Sequence, residues 1–272
     1  MSGATLVIDG VRIPPRHSHF VPTQPVVFVI PAYNEADNLP RLFADLEKRP
    51  ELFPPGSRVI VVDDGSTDRT PQLVEHHGGT LPLELVRFNE NRGPGAAFRA
   101  GFAAALDNAP ADVLVVTLEA DTTSDLDVLP SMLECAVEGF DLVLASVHGG
   151  GKMMNVGILR RALSRGASLV VRAALGLDAR TVSSFFRVYR ASLLRAASTH
   201  YGETLIEESG FACKAELLAK LTALGARVNE IPVDLDASRR VGKSKMRTLP
   251  TLRGYWRLLR RSRGVDEEAI VA

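Results

Sequence analysis

Two acidic residues with only Ala120 between them, Glu119 and Asp121, follow the apolar run VLVVTL at 113–118. Such a run is typical of a strand buried on both faces, so the carboxylates would lie just beyond the strand's end. Carboxylate oxygens are hard ligands and suit Mg²⁺ or Mn²⁺ better than Zn²⁺. The pattern therefore predicts a divalent metal ion at this strand end, where it would bridge a diphosphate and stabilise it as a leaving group.

Two earlier apolar runs, VVFVI at 26–30 and RVIVV at 58–62, also lead into polar residues. The candidate site residues at these two run ends are Pro31, Tyr33, Glu35, Asp63 and Asp64. If the three run ends lie together, their acids repel by on the order of several kcal/mol at low effective dielectric. A divalent cation, or a ligand that presents hydrogen-bond donors, would relieve this repulsion. For Ser66 and Asp68, which precede a helical pattern, capping of that helix is the alternative interpretation.

Short apolar runs and helical patterns alternate through the first half of the chain. The runs lie at 26–30, 58–62, 83–88, 113–118 and 141–146, with helical patterns at 38–48, 70–77, 95–106 and 129–138. Later patterns predict helices at 157–175 and 208–225 and a strand within 226–235. This alternation predicts an α/β fold with a mostly parallel sheet flanked by helices. Because such sheets bind ligands beyond the carboxyl ends of their strands, the polar run ends are the candidate site.

The composition excludes several classes of protein. The chain has 272 residues, of which 46% are hydrophobic, so it is long enough and apolar enough for a large core. Lys plus Arg and Asp plus Glu are 32 each, and we expect no nucleic-acid partner. No GxGxxG fingerprint or GxxxxGK[ST] loop occurs, which counts against dehydrogenases and P-loop ATPases. The Gly93-Pro-Gly95 turn predicts a close backbone approach, either to a ligand or to a neighbouring helix.

We divide the chain into an arm at 1–25, a main domain at 26–247 and a basic amphipathic segment at 248–272. The arm has a hairpin pattern around Asp9-Gly10. Ten basic residues and no acidic ones lie from Arg239 to Arg263. With two cysteines, no secretory signal pattern and no apolar run of about 18 residues, we expect a cytoplasmic protein, soluble or peripheral on the inner face of the membrane. The segment at 248–272 either lies on an anionic membrane surface or packs on the core with a solvated basic face.

A resemblance to a known family is carried by several motifs in order. VIPAYNEADNLP, VVDDGSTDRT, NRGPGAAFRAG and EAD resemble family 2 glycosyltransferases of the Rossmann-like GT-A fold. SRGASLV, SSFFRVYR, GFACKAEL and RRVGKSK follow in the order seen in dolichol-phosphate mannose synthases and related polyprenyl-phosphate glycosyltransferases. The resemblance covers residues 26–247, and the Arg-x-x-Gly-x-Ser-Lys pattern from Arg239 to Lys245 makes it specific.

The resemblance implies roles for particular residues. Pro31, Tyr33 and Glu35 would contact the nucleoside, with Asp63 or Asp64 on the base or ribose. Around the metal and the diphosphate would lie Glu119, Ala120, Asp121 and Thr123. The diphosphate or the acceptor phosphate would be held by Arg187, Arg239 and Lys245, because Arg and Lys present donors to phosphate oxygens.

The implied reaction is metal-dependent transfer of a sugar, mannose from a GDP-mannose-like donor, to a polyprenyl phosphate. Two alternatives remain open: a soluble phosphate or natural-product acceptor, and a nucleotide-sugar-binding protein without catalysis. The chain departs from the family pattern at four places. Glu119 replaces an Asp, Thr123 replaces a Gln or Ser, Ser146-Val147-His148 replaces Ser/Thr-Arg-Tyr, and Thr181 replaces an Asp.

Overall fold

The computed structural model describes residues 6–8, 11–147, 151, 153–154, 166, 168–169, 171–173, 175–176, 179–242 and 248–271. The strands of this part are β1 (Leu6–Ile8), β2 (Val11–Ile13), β3 (Val26–Ala32), β4 (Arg58–Asp63), β5 (Leu83–Arg87), β6 (Leu114–Thr117), β7 (Leu142–Ser146), β8 (Met153–Met154), β9 (Arg187–Arg190), β10 (Val228–Pro232) and β11 (Leu235–Asp236). The helices are α1 (Leu39–Glu47), α2 (Thr70–Glu75), α3 (Pro94–Leu106), α4 (Leu129–Glu138), α5 (Ala191–Tyr201), α6 (Cys213–Ala223) and α7 (Thr248–Val271).

A seven-stranded sheet in the order β10-β7-β9-β6-β3-β4-β5 forms the centre of the described structure. Every strand of this sheet except β9 runs in the same direction, and β9 pairs antiparallel with both β6 and β7. The carboxyl ends of the parallel strands therefore meet at one edge. The mostly parallel α/β sheet expected from the sequence is confirmed.

The inner strands of the sheet are buried on both faces because they are continuously apolar, whereas the edge strands β5 and β10 are only partly buried. In β3, Phe28 and Ile30 pack into the core layer that contains α1 and α4, whereas Val27 and Val29 pack into the layer that contains α3 and α6. All four side chains are at most 1% exposed. Alternation of side chains along a strand thus supplies both cores from one run of residues.

Glycines allow two close approaches: α3 packs directly on the sheet, and the turn before α3 packs on the segment before α6. A Cβ at Gly101 of α3 would lie 2.3 Å from a methyl of Val29, so this helix packs directly on the sheet. Gly93 has a φ of 87°, and Gly95 donates its backbone N–H to the carbonyl of Ser209 at 3.0 Å. The Gly93-Pro-Gly95 turn is therefore the close approach of one backbone segment to another, here the segment before α6.

Two predicted elements differ from the structure and one lies outside it. The SSFFRVYR stretch contains a strand, β9, that the alternation of apolar runs and helical patterns did not predict. The helix predicted at 208–225 begins only at Cys213, since Glu208 and Ser209 contact the glycine turn instead. Most of the helix predicted at 157–175 lies outside the described residues.

The N-terminal arm packs against the domain beyond its hairpin. The predicted hairpin is confirmed as the antiparallel pair β1 and β2. After it, Ser18 donates its backbone N–H to the hydroxyl of Ser131 on α4 at 2.8 Å, and that hydroxyl donates to the carbonyl of Arg16 at 2.9 Å. Arg16 also pairs with Asp234 at 2.8 Å. The arm is thus bound along α4 next to the carboxyl edge of the sheet.

Helix α7 packs on the domain through one face and exposes the other. Gly254 contacts Ala212 so closely that an added Cβ would lie 2.7 Å from it, and Tyr255 and Leu258 are buried. Arg257 binds the buried Glu208 through Nε at 3.0 Å. Among the described helices, none is long and apolar enough to cross a membrane.

Candidate active site

The loops that follow β3 and β4 at the carboxyl edge are tied to each other by hydrogen bonds. Asn34, with a φ of 52°, donates its backbone N–H to Ser66 Oγ at 2.8 Å, and its side-chain oxygen accepts from the backbone of Thr67 at 2.8 Å. Asp68 accepts from the backbone N–H of Ala36 at 3.2 Å. Ser66 and Asp68 thus join the two loops, and Asp68 also accepts from Thr70 at the start of α2.

Residues expected at the nucleoside lie in and beside these loops. Pro31, Tyr33 and Glu35 are partly exposed. The carboxylate of Glu35 accepts from the side-chain amide of Asn38 at 2.6 Å, which orients it at the start of α1.

The two adjacent aspartates at the end of β4 have different surroundings. Asp64 accepts the backbone N–H groups of Arg92 at 2.7 Å and Gly93 at 2.9 Å, so both of its oxygens hold the turn before α3. Burial raises the pKa of Asp64, partly offset by these hydrogen bonds. Asp63 is fully buried, accepts from Ser66 N at 3.0 Å, and has Oδ2 3.4 Å from Arg87 Nε without a hydrogen bond. Of the pair, Asp63 is the one with an oxygen that accepts no hydrogen bond, and that oxygen is buried beside the Arg87 guanidinium.

Glu119 lies just beyond β6, with one oxygen accepting from Ser124 Oγ at 3.0 Å and the other from Phe185 N at 3.4 Å. Burial and the nearby charge of Asp121 raise the pKa of Glu119, and the charge of Lys214 opposes this rise. The two acids are therefore close enough to influence each other. A cleft of about 60 Å³ opens beside Glu119, with Thr181 and Asp234 also in its lining.

Asp121 is held between its own loop and a distant arginine. Oδ1 accepts from Thr123 N at 3.1 Å and Thr123 Oγ1 at 2.7 Å. Oδ2 accepts from Arg240 through both Nε, at 2.7 Å, and a terminal guanidinium nitrogen. Thr122, between Asp121 and Thr123 in the sequence, has a φ of 60°, which is a strained conformation for a β-branched residue. Its hydroxyl donates to the carbonyl of Arg239 at 3.1 Å.

A buried lysine contributes positive charge to the same region. Lys214, the second residue of α6, is 6% exposed, donates to the carbonyl of Ser183 and lies 4.0 Å from the ring centroid of Phe185. Burial lowers the pKa of Lys214 to about 8, although the charge of Glu119 acts in the opposite direction. The acids at the end of β6 therefore have a lysine close enough to influence Glu119 and an arginine bound to Asp121.

The other predicted phosphate-binding residues are placed differently. Arg187 is 1% exposed, and its guanidinium donates to the carbonyls of Ser184 at 2.9 Å and Val182 at 3.1 Å, which orders the chain beside Glu119. Arg239 points to α1, where it pairs with Asp45 at 3.0 Å. Lys245 lies outside the described residues.

A family model described as glycosyl transferase family 2 matches residues 27–197, more than half of the chain. The chain belongs to the family 2 glycosyltransferases. Its relatives include the undecaprenyl-phosphate mannosyltransferase of Micrococcus luteus, 34% identical over 223 residues that cover 81% of this chain and 87% of that protein. The polyprenol monophosphomannose synthase of Mycolicibacterium smegmatis is 28% identical over 228 residues, 83% of this chain and 82% of that protein.

The GT-A fold of the glycosyltransferase is shown by solved structures as well. Glucosyl-3-phosphoglycerate synthase from Mycobacterium tuberculosis, crystallised with Mn²⁺, UDP and glucosyl-3-phosphoglycerate, aligns with a TM-score of 0.56. The alignment covers 87% of this chain and 77% of that one at 19% identity. At this identity the likeness supports the shared fold and not a shared substrate.

The residues at the end of β6 of the glycosyltransferase fit a hard divalent cation. Glu119 and Asp121 offer carboxylate oxygens and Thr123 a hydroxyl, the donor chemistry of Mg²⁺ and Mn²⁺. Within the described residues, no three His, Cys, Asp or Glu side chains cluster into a complete metal site. Mg²⁺ usually completes its shell with substrate phosphates and water, so this incomplete protein set is compatible with a site that forms around a diphosphate.

Sequence reasoning missed Arg240 and Lys214. The Arg-x-x-Gly-x-Ser-Lys pattern points to Arg239, which occupies its first position, and not to Arg240. Lys214 lies within the GFACKAEL motif, where a lysine among the apolar residues at the start of a helix is a signal in itself. Both residues gain significance only from the elements that bring them to the acids.

Proposed function

We propose that this glycosyltransferase transfers mannose from a GDP-mannose-like donor to a polyprenyl phosphate. The observation that carries the proposal is its similarity to the Micrococcus luteus undecaprenyl-phosphate mannosyltransferase over most of both chains. The similarity to a polyprenol monophosphomannose synthase supports the same sugar and the same class of acceptor. The paired acids at the carboxyl edge, with cationic side chains beside them, support a donor that carries a diphosphate.

In the proposed reaction, an oxygen of the acceptor phosphate attacks the anomeric carbon of the donor sugar. A new carbon–oxygen bond forms as the bond to the diphosphate breaks, and the nucleoside diphosphate leaves with the electron pair. The acceptor oxygen is already ionised near neutral pH, so no general base is required. The enzyme's task is to place two anionic reactants together and to stabilise the charge on the leaving group.

The acids at the end of β6 would hold Mg²⁺ or Mn²⁺, which neutralises negative charge on the leaving diphosphate. Asp121, Glu119 and Thr123 provide the protein ligands in this proposal, and the backbone at Ala120 sets their spacing. Thr122 keeps the turn in its strained conformation through its bond to the Arg239 carbonyl. The acids are thereby oriented before the donor arrives.

The remaining candidate residues divide between the nucleoside of the donor and the phosphate of the acceptor. Pro31, Tyr33 and Glu35 would line the nucleoside, and Asp63, at the end of β4, would lie at its base or ribose. We assign Asp64 to holding the turn before α3, because both of its oxygens are used there. For the phosphates, Arg239 and Lys245 are proposed to contact the acceptor, while Arg187 holds the segment beside Glu119 in place.

The exposed face of α7 suits an acceptor that resides in a membrane. Leu252 is 45% and Trp256 58% exposed, and Arg260 lies over the Trp256 ring at 4.7 Å. Arg253 and Arg257 are exposed on the same helix. Apolar and aromatic side chains among arginines match the interfacial region of an anionic bilayer. We propose a peripheral contact with the inner face of the cytoplasmic membrane through this face.

The function is tested by incubating the purified protein with GDP-mannose or UDP-glucose, Mg²⁺ or Mn²⁺, and a short polyprenyl phosphate. Formation of lipid-linked mannose from GDP-mannose is the expected result, and EDTA should stop it. Product formed only with water-soluble phosphate acceptors would refute the lipid acceptor. Tight nucleotide-sugar binding without any turnover would refute catalysis.

The membrane contact is tested by sedimentation with vesicles of phosphatidylglycerol and phosphatidylcholine. We expect Trp256→Ser to lower binding to the anionic vesicles, whereas Val137→Ser serves as a control because Val137 is also exposed, at 41%, but lies on α4. Equal loss of binding in both variants, or no loss in either, would contradict a specific role for α7.

A further inference from the structure

Arg240 and Asp121 form a charged pair where the glycosyltransferase is expected to bind metal and diphosphate. Two guanidinium nitrogens of Arg240 reach the same oxygen, Asp121 Oδ2. Both side chains are mostly buried, with 21% of the Arg240 side chain and 13% of the Asp121 side chain exposed. The pair is therefore sheltered from the screening that weakens surface ion pairs.

The backbone on both sides of Arg240 is anchored independently of this pair. The carbonyl of Arg239 accepts from Thr122 Oγ1 at 3.1 Å. On the other side, Val241 donates its N–H to Asn38 Oδ1 at 2.9 Å, and its carbonyl accepts from Asn38 Nδ2 at 3.2 Å. Because these bonds do not involve the guanidinium, the Arg240 side chain can change its partner while the backbone stays in place.

The charges at the site make such a change of partner favourable. While Arg240 neutralises Asp121, a divalent cation bound to the same carboxylate would face a positive guanidinium beside it. A nucleoside diphosphate brings further negative charge, and its oxygens match the planar fork of an arginine. When metal and diphosphate bind together, the metal would therefore bind Asp121 and the diphosphate would bind the Arg240 guanidinium. Metal alone would have to displace the guanidinium without offering it another anion.

We propose that Arg240, rather than the motif arginine Arg239, binds the donor's diphosphate, and that its guanidinium moves from Asp121 to the phosphate when metal and donor bind together. This inference rests on the proposed function, since it requires a diphosphate-bearing donor. It makes metal affinity depend on the nucleotide, because the arginine blocks the carboxylate until phosphate is present. By linkage, the metal raises nucleotide affinity by the same factor.

The test compares Arg240→Gln, Arg240→Lys and Arg239→Gln with the wild type in the full-length chain. Mn²⁺ binding is measured by electron paramagnetic resonance without nucleotide, and binding of GDP and of UDP is measured by calorimetry at saturating Mn²⁺. Arg239→Gln is the matched control, because the Arg239 guanidinium contacts Asp45 on α1 and not Asp121. Thermal melting confirms that each variant is folded.

We expect Arg240→Gln to bind Mn²⁺ alone about tenfold more tightly and the nucleoside diphosphate about tenfold more weakly, within the usual range for coupling between sites. Arg240→Lys should restore the weak Mn²⁺ binding, since it keeps the charge, but not the full nucleotide affinity, since it lacks the fork. Arg239→Gln should bind Mn²⁺ like the wild type.

The binding measurements distinguish failure of the arginine exchange from failure of the proposed function. Unchanged Mn²⁺ affinity in Arg240→Gln, with normal nucleotide binding by the wild type, overturns the exchange and leaves the proposed function intact. Equal effects of the Arg239 and Arg240 variants on Mn²⁺ affinity also overturn it, because they would indicate a general loss of positive charge. Binding of neither GDP nor UDP by the wild type with Mn²⁺ overturns both the exchange and the proposed function.

Discussion

Replacing the buried Lys214 by methionine should change how the stability of the protein depends on pH. Lys214 is 6% exposed, and its pKa is lowered from 10.5 to about 8 because burial disfavours the charged ammonium. Methionine keeps much of the length and apolar stem of lysine but carries no charge. The substitution therefore removes the titrating group while leaving the space between α6 and the Phe185 segment filled.

The sign and size of the effect follow from the two pKa values. Below pH 8 both the folded and the unfolded chain hold the proton on Lys214. Between pH 8 and 10.5 the folded state releases it first, so the unfolded state binds more protons and the free energy of unfolding rises with pH. A shift from 10.5 to about 8 corresponds to about 3 kcal/mol at 1.4 kcal/mol per pKa unit. This stabilisation is complete above pH 10.5 and is lost as the pH falls through 8.

Other buried groups titrate in the same range with the opposite sign. Burial raises the pKa of Cys135 to about 11 and that of Cys213 to about 12, so both thiols favour folding below pH 9 and lose this contribution as the pH rises. The wild-type profile alone is thus a sum of opposing slopes. Because the cysteines are present in both proteins, the difference between variant and wild type removes their shared contribution and leaves that of Lys214 with its coupling to Cys213 and Glu119.

Urea unfolding followed by circular dichroism between pH 7 and 10.5 measures this difference. We subtract the free energy of unfolding of the wild type from that of Lys214→Met. We expect this difference to be about 3 kcal/mol larger at pH 7 than at pH 10.5. Lys48→Met is the control, because 70% of the Lys48 side chain is exposed and its removal should give a flat difference. A flat difference for Lys214→Met, or one that grows with pH, would refute the assignment of a buried, charged lysine beside the acids.

Three further substitutions separate roles in function from roles in the fold. Asp121→Ala should lower metal-dependent turnover by about 100-fold or more without preventing folding, and wild-type turnover would refute its role at the metal. Asp64→Ala leaves the partly buried backbone N–H groups of Arg92 and Gly93 without their carboxylate acceptor and should lower the free energy of unfolding by about 1–3 kcal/mol; a urea titration that finds no loss would contradict this. Gly95→Ala places a Cβ 2.0 Å from the carbonyl oxygen of Glu208, so it should lower the melting temperature even though alanine favours helices, and a rise would show that the turn can relax.

The sequence was sufficient for the parallel sheet and for the carboxylates at its edge. Continuous apolar runs such as 26–30 and 113–118 are compatible with strands buried on both faces, and alternation with helices implies parallel pairing. Parallel strands end at one edge, so the acids that follow them were expected to meet there. These conclusions needed only local patterns and the geometry of strands.

The partners of individual charged side chains were beyond the sequence. The motif could not distinguish Arg239 from Arg240, because which of two adjacent arginines faces Asp121 depends on how Asn38 and Thr122 anchor the backbone between them. Likewise, Asp63 and Asp64 are adjacent acids of one motif, and only the packing of the turn at Gly93 assigns the second to the fold.

What the sequence by itself determined is therefore the run of strands, the acids at their carboxyl ends and the family. What only the tertiary structure decided is the insertion of β9 antiparallel between β6 and β7, the burial of Lys214 beside Glu119, and the pairing of Arg240 with Asp121. The physical reason is range. Strand and helix patterns arise from neighbours along the chain, whereas an ion pair across 119 residues depends on the packing of every element between them.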